Sequence, residues 1–367
     1  MARGSAIRKR VSRIAAGSVV LLAGAGCTPP GGSFAESLTS TRSPMSAAAA
    51  AAERCGVPPM STAGEIRTLV RAAEPHPHYE VVAAAALPDG SVVFAREANA
   101  HEPGREVRNR EPALLALDRN GRCQPFDRPE VGGRRVASSA LPVTVGPDGQ
   151  LYFWDPPLRR LVRGIPGSEW RTVATLPASL ATHRSFPSVA VAGDGAVYVA
   201  SDASVWRATP DARLVLVAGA PQSFFGAIEQ PASQLGRLPR RAISDAFPPL
   251  GAVATTADGR LIVTTGAYVL DVDRAGTLRR LAGPGTPHGQ GGAIDAGSAL
   301  TGVAVMSNGD ILLEDAAKRR VLRMHAGRIS VLARGPSSLL SLDPASSRLL
   351  VTQNGGKILA LLALPPR

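Results

Sequence analysis

Residues 302–314 read GVAVMSNGDILLE, an apolar stretch that runs into Asn308-Gly309 and an alternating strand that leaves it. Tight turns matched to the twist of paired strands require positive φ, which Gly and Asn tolerate, so the dipeptide marks a β-hairpin. The same unit recurs along the chain. LPDG at 87–90 leads into SVVFA, GPDG at 146–149 into QLYFW, AGDG at 192–195 into AVYVA, and TADG at 256–259 into RLIVT. A degenerate sixth copy, SLDPASS then RLLVT, occupies residues 341–352.

A third segment follows each hairpin and usually a fourth, as in SVWRATPD then LVLVAGA and RVLRMHAG then ISVLARG. Each unit therefore predicts a four-stranded antiparallel sheet. Successive turn glycines lie 46 to 64 residues apart, near the period of propeller blades. A lone sheet of this size leaves one face uncovered, so the units must pack radially about an axis. The last copy supplies only three strands, ending in KILALLAL. GEIRTLVRAA at residues 64–73 resembles the outermost strand of the other units and is expected to complete it. That pairing removes an edge that would invite aggregation. The expected fold is all-β: a β-propeller over residues 61–367, of six four-stranded blades closed by the N-terminal strand.

The segment from Leu278 to Gly327 resembles the NHL repeat. Gly289-Gln290-Gly291-Gly292 stands at that family's Gly-Asp-Gly-Gly loop, Gly302-Val303-Ala304-Val305 at its G-V-A-V strand, and Arg320-Val321-Leu322-Arg323 at its R-V-R segment. The resemblance covers roughly residues 186–335 and implies a six-bladed propeller. Gln290 replaces the usual Asp, and Glu314-Asp315 replaces Ala-Asp, so no ligand preference is carried over.

The N-terminus is a targeting segment. Arg3, Arg8, Lys9, Arg10 and Arg13 form a basic head and IAAGSVVLLAGA follows, a run shorter than the roughly 20 apolar residues that span a bilayer. Two cleavage readings stand side by side: Ala23-Gly24-Ala25 suits an ordinary secretory cut, whereas Ala25-Gly26-Cys27 resembles a bacterial lipobox with Gly24 at the usual Leu place. Lipidation of Cys27 leaves Cys55 and Cys123 as an even pair, read as a disulfide in an oxidising compartment. Residues 1–26 are then a lipoprotein signal peptide and 27–60 a Pro-, Gly- and Ser-rich tether. The expected location is the outer face of the cytoplasmic membrane, with secretion as the alternative.

Formal net charge is +12, but five cations and no acid precede Cys27. No nucleic-acid module is recognisable in the basic remainder. Three insertions, at residues 96–113, 221–247 and 284–297, are expected on one propeller face, where Phe224, Phe225, Arg237, Arg240 and Arg241 suit acidic or ring-bearing partners. The six histidines fit no motif with a known mechanism. His76 and His78 are too few ligands for zinc. No catalytic residue, metal ligand set or cofactor is therefore assigned. The expected function is a non-enzymatic extracytoplasmic binding or scaffold module for a protein, peptide or envelope glycan, touching the membrane only by its lipid. The alternative is a metal-dependent hydrolase or lyase with Asp155, Asp202, Glu314, Asp315 and Asn354 around the central channel.

Overall fold

The computed structural model describes residues 66–71, 79–98, 113–118, 120, 122–137, 141–177, 187–201, 204–219, 240–242, 250–284, 294–295, 297–343, 348–353 and 358–364. Both expected domain boundaries, Cys27 and Cys55 lie outside these residues.

The chain forms a β-propeller. Blade 1 spans strands Tyr79–Ala86, Val92–Ala98, Ala113–Leu117 and Cys123–Pro125, and blade 2 spans Leu141–Val145, Leu151–Asp155, Arg160–Gly164 and Arg171–Thr175. Blade 3 is built from Ser188–Val191, Val197–Ser201, Ser204–Ala208 and Leu214–Gly219, and blade 5 from Leu300–Val305, Ile311–Asp315, Arg320–His325 and Arg328–Arg334. Blade 4 holds Leu250–Thr255, Leu261–Thr265, Tyr268–Val272 and Thr277–Ala282, plus a fifth strand, Arg240–Arg241, on its outer edge. That extra strand was not legible in the repeat, because it comes from the insertion that precedes the blade.

Blade 6 takes three strands from the C-terminal end, Pro336–Asp343, Arg348–Gln353 and Ile358–Ala363, and its fourth from Ile66–Arg71. Ile66 pairs with Leu362 and Arg71 with Ile358, antiparallel. The two parts of the chain thus close the ring as expected.

Each strand alternates between the two neighbouring blades, so each interface has its own apolar cluster. In blade 2, Leu151 and Phe153 pack towards blade 1, while Tyr152 and Trp154 pack towards blade 3. Leu270 joins Val205 of blade 3, and Val269 joins Leu322 of blade 5. Leu312 meets Leu349 of blade 6, and Leu69 and Leu350 of blade 6 meet Phe94 of blade 1. Six clusters separate six blades, which is the packing signature of a closed ring.

The first turn of blades 1 to 5 contains Gly90, Gly149, Gly195, Gly259 or Gly309, with φ from 76° to 85°. In blade 1 the Gly90 N–H donates to the Leu87 carbonyl at 2.9 Å and the Leu87 N–H to the Ser91 carbonyl at 2.8 Å. This is a three-residue loop with Gly in the left-handed position, and the preceding Asp or Asn keeps φ negative. That residue instead lends its side chain: Oδ1 of Asp89, Asp148, Asp194 and Asn308 accepts the N–H two residues on, at 2.9 to 3.1 Å. Among the described residues no helix is long and apolar enough to cross a membrane.

Candidate functional site

Antiparallel meanders put the first and third turns of every blade at one end of the ring. The second turns and the blade-to-blade connections lie at the other. All three long insertions leave from strand ends on this second side: Arg96 pairs with Ala113, Leu250 with Thr265, and Leu300 with Asp315. In blades 2 and 5 the same side carries a buried acid. Asp155 and Asp315 end their second strands with fully enclosed side chains, where an unpaired carboxylate would cost several kcal/mol, at least roughly 3.

Both are paired within their own blade. Arg160 Nε donates to Asp155 Oδ2 at 2.8 Å, and Arg320 Nε to Asp315 Oδ2 at 2.9 Å. The opposite oxygen accepts a main-chain N–H from the incoming connection, Ala137 at 3.3 Å for Asp155 and Ala299 at 3.2 Å for Asp315. Ser298 Oγ adds a third bond to Asp315 at 2.8 Å. Between acid and arginine the chain turns sharply, with Arg159 and Arg319 both at φ 48°. Exposed Asp295, at the end of the third insertion, is gripped by Lys318 and by Arg320 Nη2 at 3.2 Å. The Lys318 hydrogen bond and charge, with help from Arg320, hold Asp295 below the usual carboxylate range.

At the other end, the third strand carries a second rivet. Buried Asp310 accepts from Arg323 Nε at 2.6 Å and from Asn308 Nδ2 at 3.1 Å, and lies 2.5 Å from His325 Nδ1. Burial works to raise the Asp310 carboxyl, but donors from His325 and Arg323 and the Arg323 charge outweigh it and hold the group low. Blade 4 has the same rivet with its charges exchanged: Arg260 takes the place of Asp310, and Asp271 that of Arg323, with Arg260 Nη1 3.1 Å from Asp271 Oδ2. Here desolvation dominates and pushes the Asp271 carboxyl up despite Arg260. Asp271 Oδ1 is buried without a hydrogen-bond partner.

The expected residues are therefore distributed as follows. Phe224, Phe225, Arg237, Asp202, Asn354, His76 and His78 lie outside the described residues. Arg240 and Arg241 form the outer-edge strand of blade 4, opposite Leu278 and Thr277, and Ala242 beside them stitches two blades together. Its N–H donates to the Gly276 carbonyl and its carbonyl accepts from Gly219, each at 2.7 Å. This part of the second insertion thus lies on the periphery and not over the channel. Cys123 starts the outer strand of blade 1, half-buried in the cluster that contains Leu69 of the closing strand. Glu314 is buried. Among the described residues, no group of three or more His, Cys, Asp or Glu is placed to hold a metal ion. The arginine partners were missed in the sequence, although the spacing Asp155 to Arg160 and Asp315 to Arg320 is the same and could have revealed them.

No family model matches the chain. Nor does any curated protein. Solved structures do. A protein of unknown function from Bacteroides thetaiotaomicron superposes with a TM-score of 0.53 at 11% identity, covering 82% of this chain and 72% of that one. A candidate gluconolactonase gives 0.50 at 16% identity, covering 81% and 91%. Virginiamycin B lyase from Staphylococcus aureus gives 0.46 at 12% identity, covering 82% and 99%. Lyases and gluconolactonases are thus among the similar structures, and at these identities the likeness is one of fold: the all-β propeller.

Proposed function

We propose that this propeller is a non-enzymatic binding or scaffold module, exported and held at the outer face of the cytoplasmic membrane by a lipid on Cys27. Its NHL-like blades present the insertion-bearing side to a protein, peptide or envelope glycan. One observation carries the reading: the acids at the second-strand ends of blades 2 and 5 are consumed by Arg160 and Arg320, while the long insertions leave from that same side. Carboxylates already closed by guanidinium and main-chain donors have little capacity left for a cation. Blades riveted in this way make a rigid platform, and function on such platforms usually resides in the loops they display.

The test is affinity capture from intact envelopes with the full chain, repeated with residues 221–247 shortened. Loss of the captured partners is expected, and an unchanged set would overturn the binding face. Metal analysis of the same preparation separates the metal-enzyme reading. A stoichiometric cation, lost together with activity in Glu314→Gln, would replace the binding reading with that one. For the anchor, Cys27→Ser should move the protein from the membrane to the soluble fraction. Continued membrane retention of that variant would remove the lipid.

A further inference from the structure

A polar residue recurs at one position of the third strand in four of the six blades: Arg163 in blade 2, Arg207 in blade 3, Asp271 in blade 4 and Arg323 in blade 5. In blades 4 and 5 the first residue after the glycine turn neutralises it, through Arg260 or Asp310. In blade 3 that place is Ala196, so Arg207 has no ion-pair partner among the described residues. It shares a strand face with Val205, which packs into the interface with blade 4. Across the same interface, Arg280 stands opposite Leu270 of that cluster and is likewise unpaired among the described residues. Among the described residues the rim between blades 3 and 4 therefore holds two arginines, Arg207 and Arg280, to which no acid is paired.

It also has an apolar and a main-chain component. Val215, opposite Arg207 in register, is 54% exposed, and half-buried Tyr198 flanks Arg207 on its other side. Leu214–Gly219 is the outermost strand of blade 3. Only Gly219 on its outer side has a main-chain partner among the described residues, the Ala242 carbonyl. Blade 4, by contrast, has the first two residues of its edge strand, Thr277 and Leu278, paired with Arg241 and Arg240.

We propose that the rim between blades 3 and 4 is a docking surface for an extended acidic peptide segment of a partner protein. An extended chain adds to the Leu214–Ala218 edge through main-chain hydrogen bonds. Its alternate side chains then fall on the face of blade 3 that carries Val215 and Arg207 and is turned towards blade 4, which carries Arg280. Carboxylates there meet forked guanidinium donors, and apolar residues between them cover Val215. The inference goes beyond the binding reading above: Arg207 and Val215 lie beside the third turn of blade 3 and not at the insertion-bearing end, so it adds a second surface and names the chemistry of its partner.

The probe is a fluorescein-labelled peptide of alternating Glu and Val, followed by anisotropy with the full chain, beside a Lys-Val counterpart. The acidic peptide should bind and the basic one should not. Arg207→Glu with Arg280→Glu should weaken binding by roughly tenfold or more. Arg163→Glu, at the same strand position in blade 2, should leave it unchanged. The milder Arg207→Gln with Arg280→Gln should show the same ranking, so that misfolding of the charge-reversed protein, seen as a lost thermal transition, does not decide the matter. Equal affinity in the double variants would overturn the surface. Displacement by a sulfated polysaccharide at matched charge would show that charge alone is read, and would overturn the peptide assignment. Failure here, with capture still lost on shortening residues 221–247, would remove this surface and leave the binding reading intact.

Discussion

Replacing Gly251 by alanine tests whether blades 4 and 5 meet as closely as their inner strands indicate. Gly251 lies on the innermost strand of blade 4, and a Cβ there would fall 2.0 Å from the Leu300 carbonyl oxygen and 2.7 Å from Thr264 Oγ1. The threonine could rotate away, at the loss of the bond its hydroxyl accepts from the Ala252 N–H at 2.9 Å. The carbonyl cannot. Leu300 opens the first strand of blade 5, and its N–H is fixed to the Gly266 carbonyl at 2.7 Å. Relief requires the two strands to part by about 1 Å, opening a dry interface lined by Ile262, Leu313 and Leu322, so a loss of about 3–4 kcal/mol is expected. Gly297→Ala is the control, because a Cβ there meets nothing within 4 Å. Urea unfolding followed by tryptophan fluorescence measures both. A Gly251→Ala protein within about 0.5 kcal/mol of the control would refute the close approach of the two blades.

Arg320→Met should cost about 3–5 kcal/mol, because it strands the enclosed Asp315 carboxylate, and the denaturation midpoint would show it. Arg159→Gly should stabilise by up to about 1 kcal/mol, since the left-handed φ is costly for a side chain and free for glycine, which thermal unfolding can read. Asp310 gives a pH dependence. Its folded carboxyl is held below the unfolded value, so its contribution is present above about pH 4 and is lost as pH falls through the folded value. Asp310→Asn should therefore flatten the acid limb of the stability curve, measured by unfolding at a series of pH values.

Much of the fold was legible because hairpin turns impose local demands. A positive φ calls for Gly at five corresponding places, and a three-strand terminal unit calls for a strand from elsewhere, which Ile66–Arg71 supplies. What was not legible depends on contacts that composition does not encode. An aspartate at a strand end reads equally as a cation ligand or as a partner for an arginine, and Asp155 and Asp315 proved to be the latter. The fifth strand of blade 4 was hidden because Arg240-Arg241 in an Arg-rich insertion has no alternation to mark it. Its strand character comes from the open edge of Thr277–Ala282, a tertiary cause.

The exchanged rivets of blades 4 and 5 explain how the repeat could lose its sequence likeness and keep its shape. A guanidinium and a carboxylate bridging the second and third strands need similar space whichever strand supplies the acid, although further donors hold Asp310 low and burial pushes Asp271 up. Selection on shape therefore leaves their order free. Arg260→Asp alone should destabilise, because it removes the partner of Asp271 and adds an acid beside Asp258. The cost should be about 2 kcal/mol, smaller than for a fully enclosed pair, because the Arg260 side chain is 40% exposed. Adding Asp271→Arg recreates in blade 4 the order found at Asp310 and Arg323, and should recover most of that loss. A double-mutant cycle in urea measures the coupling. If the second change brings no recovery, the two blades do not share an interchangeable rivet, and the correspondence between Arg260 and Asp310 is an accident of alignment.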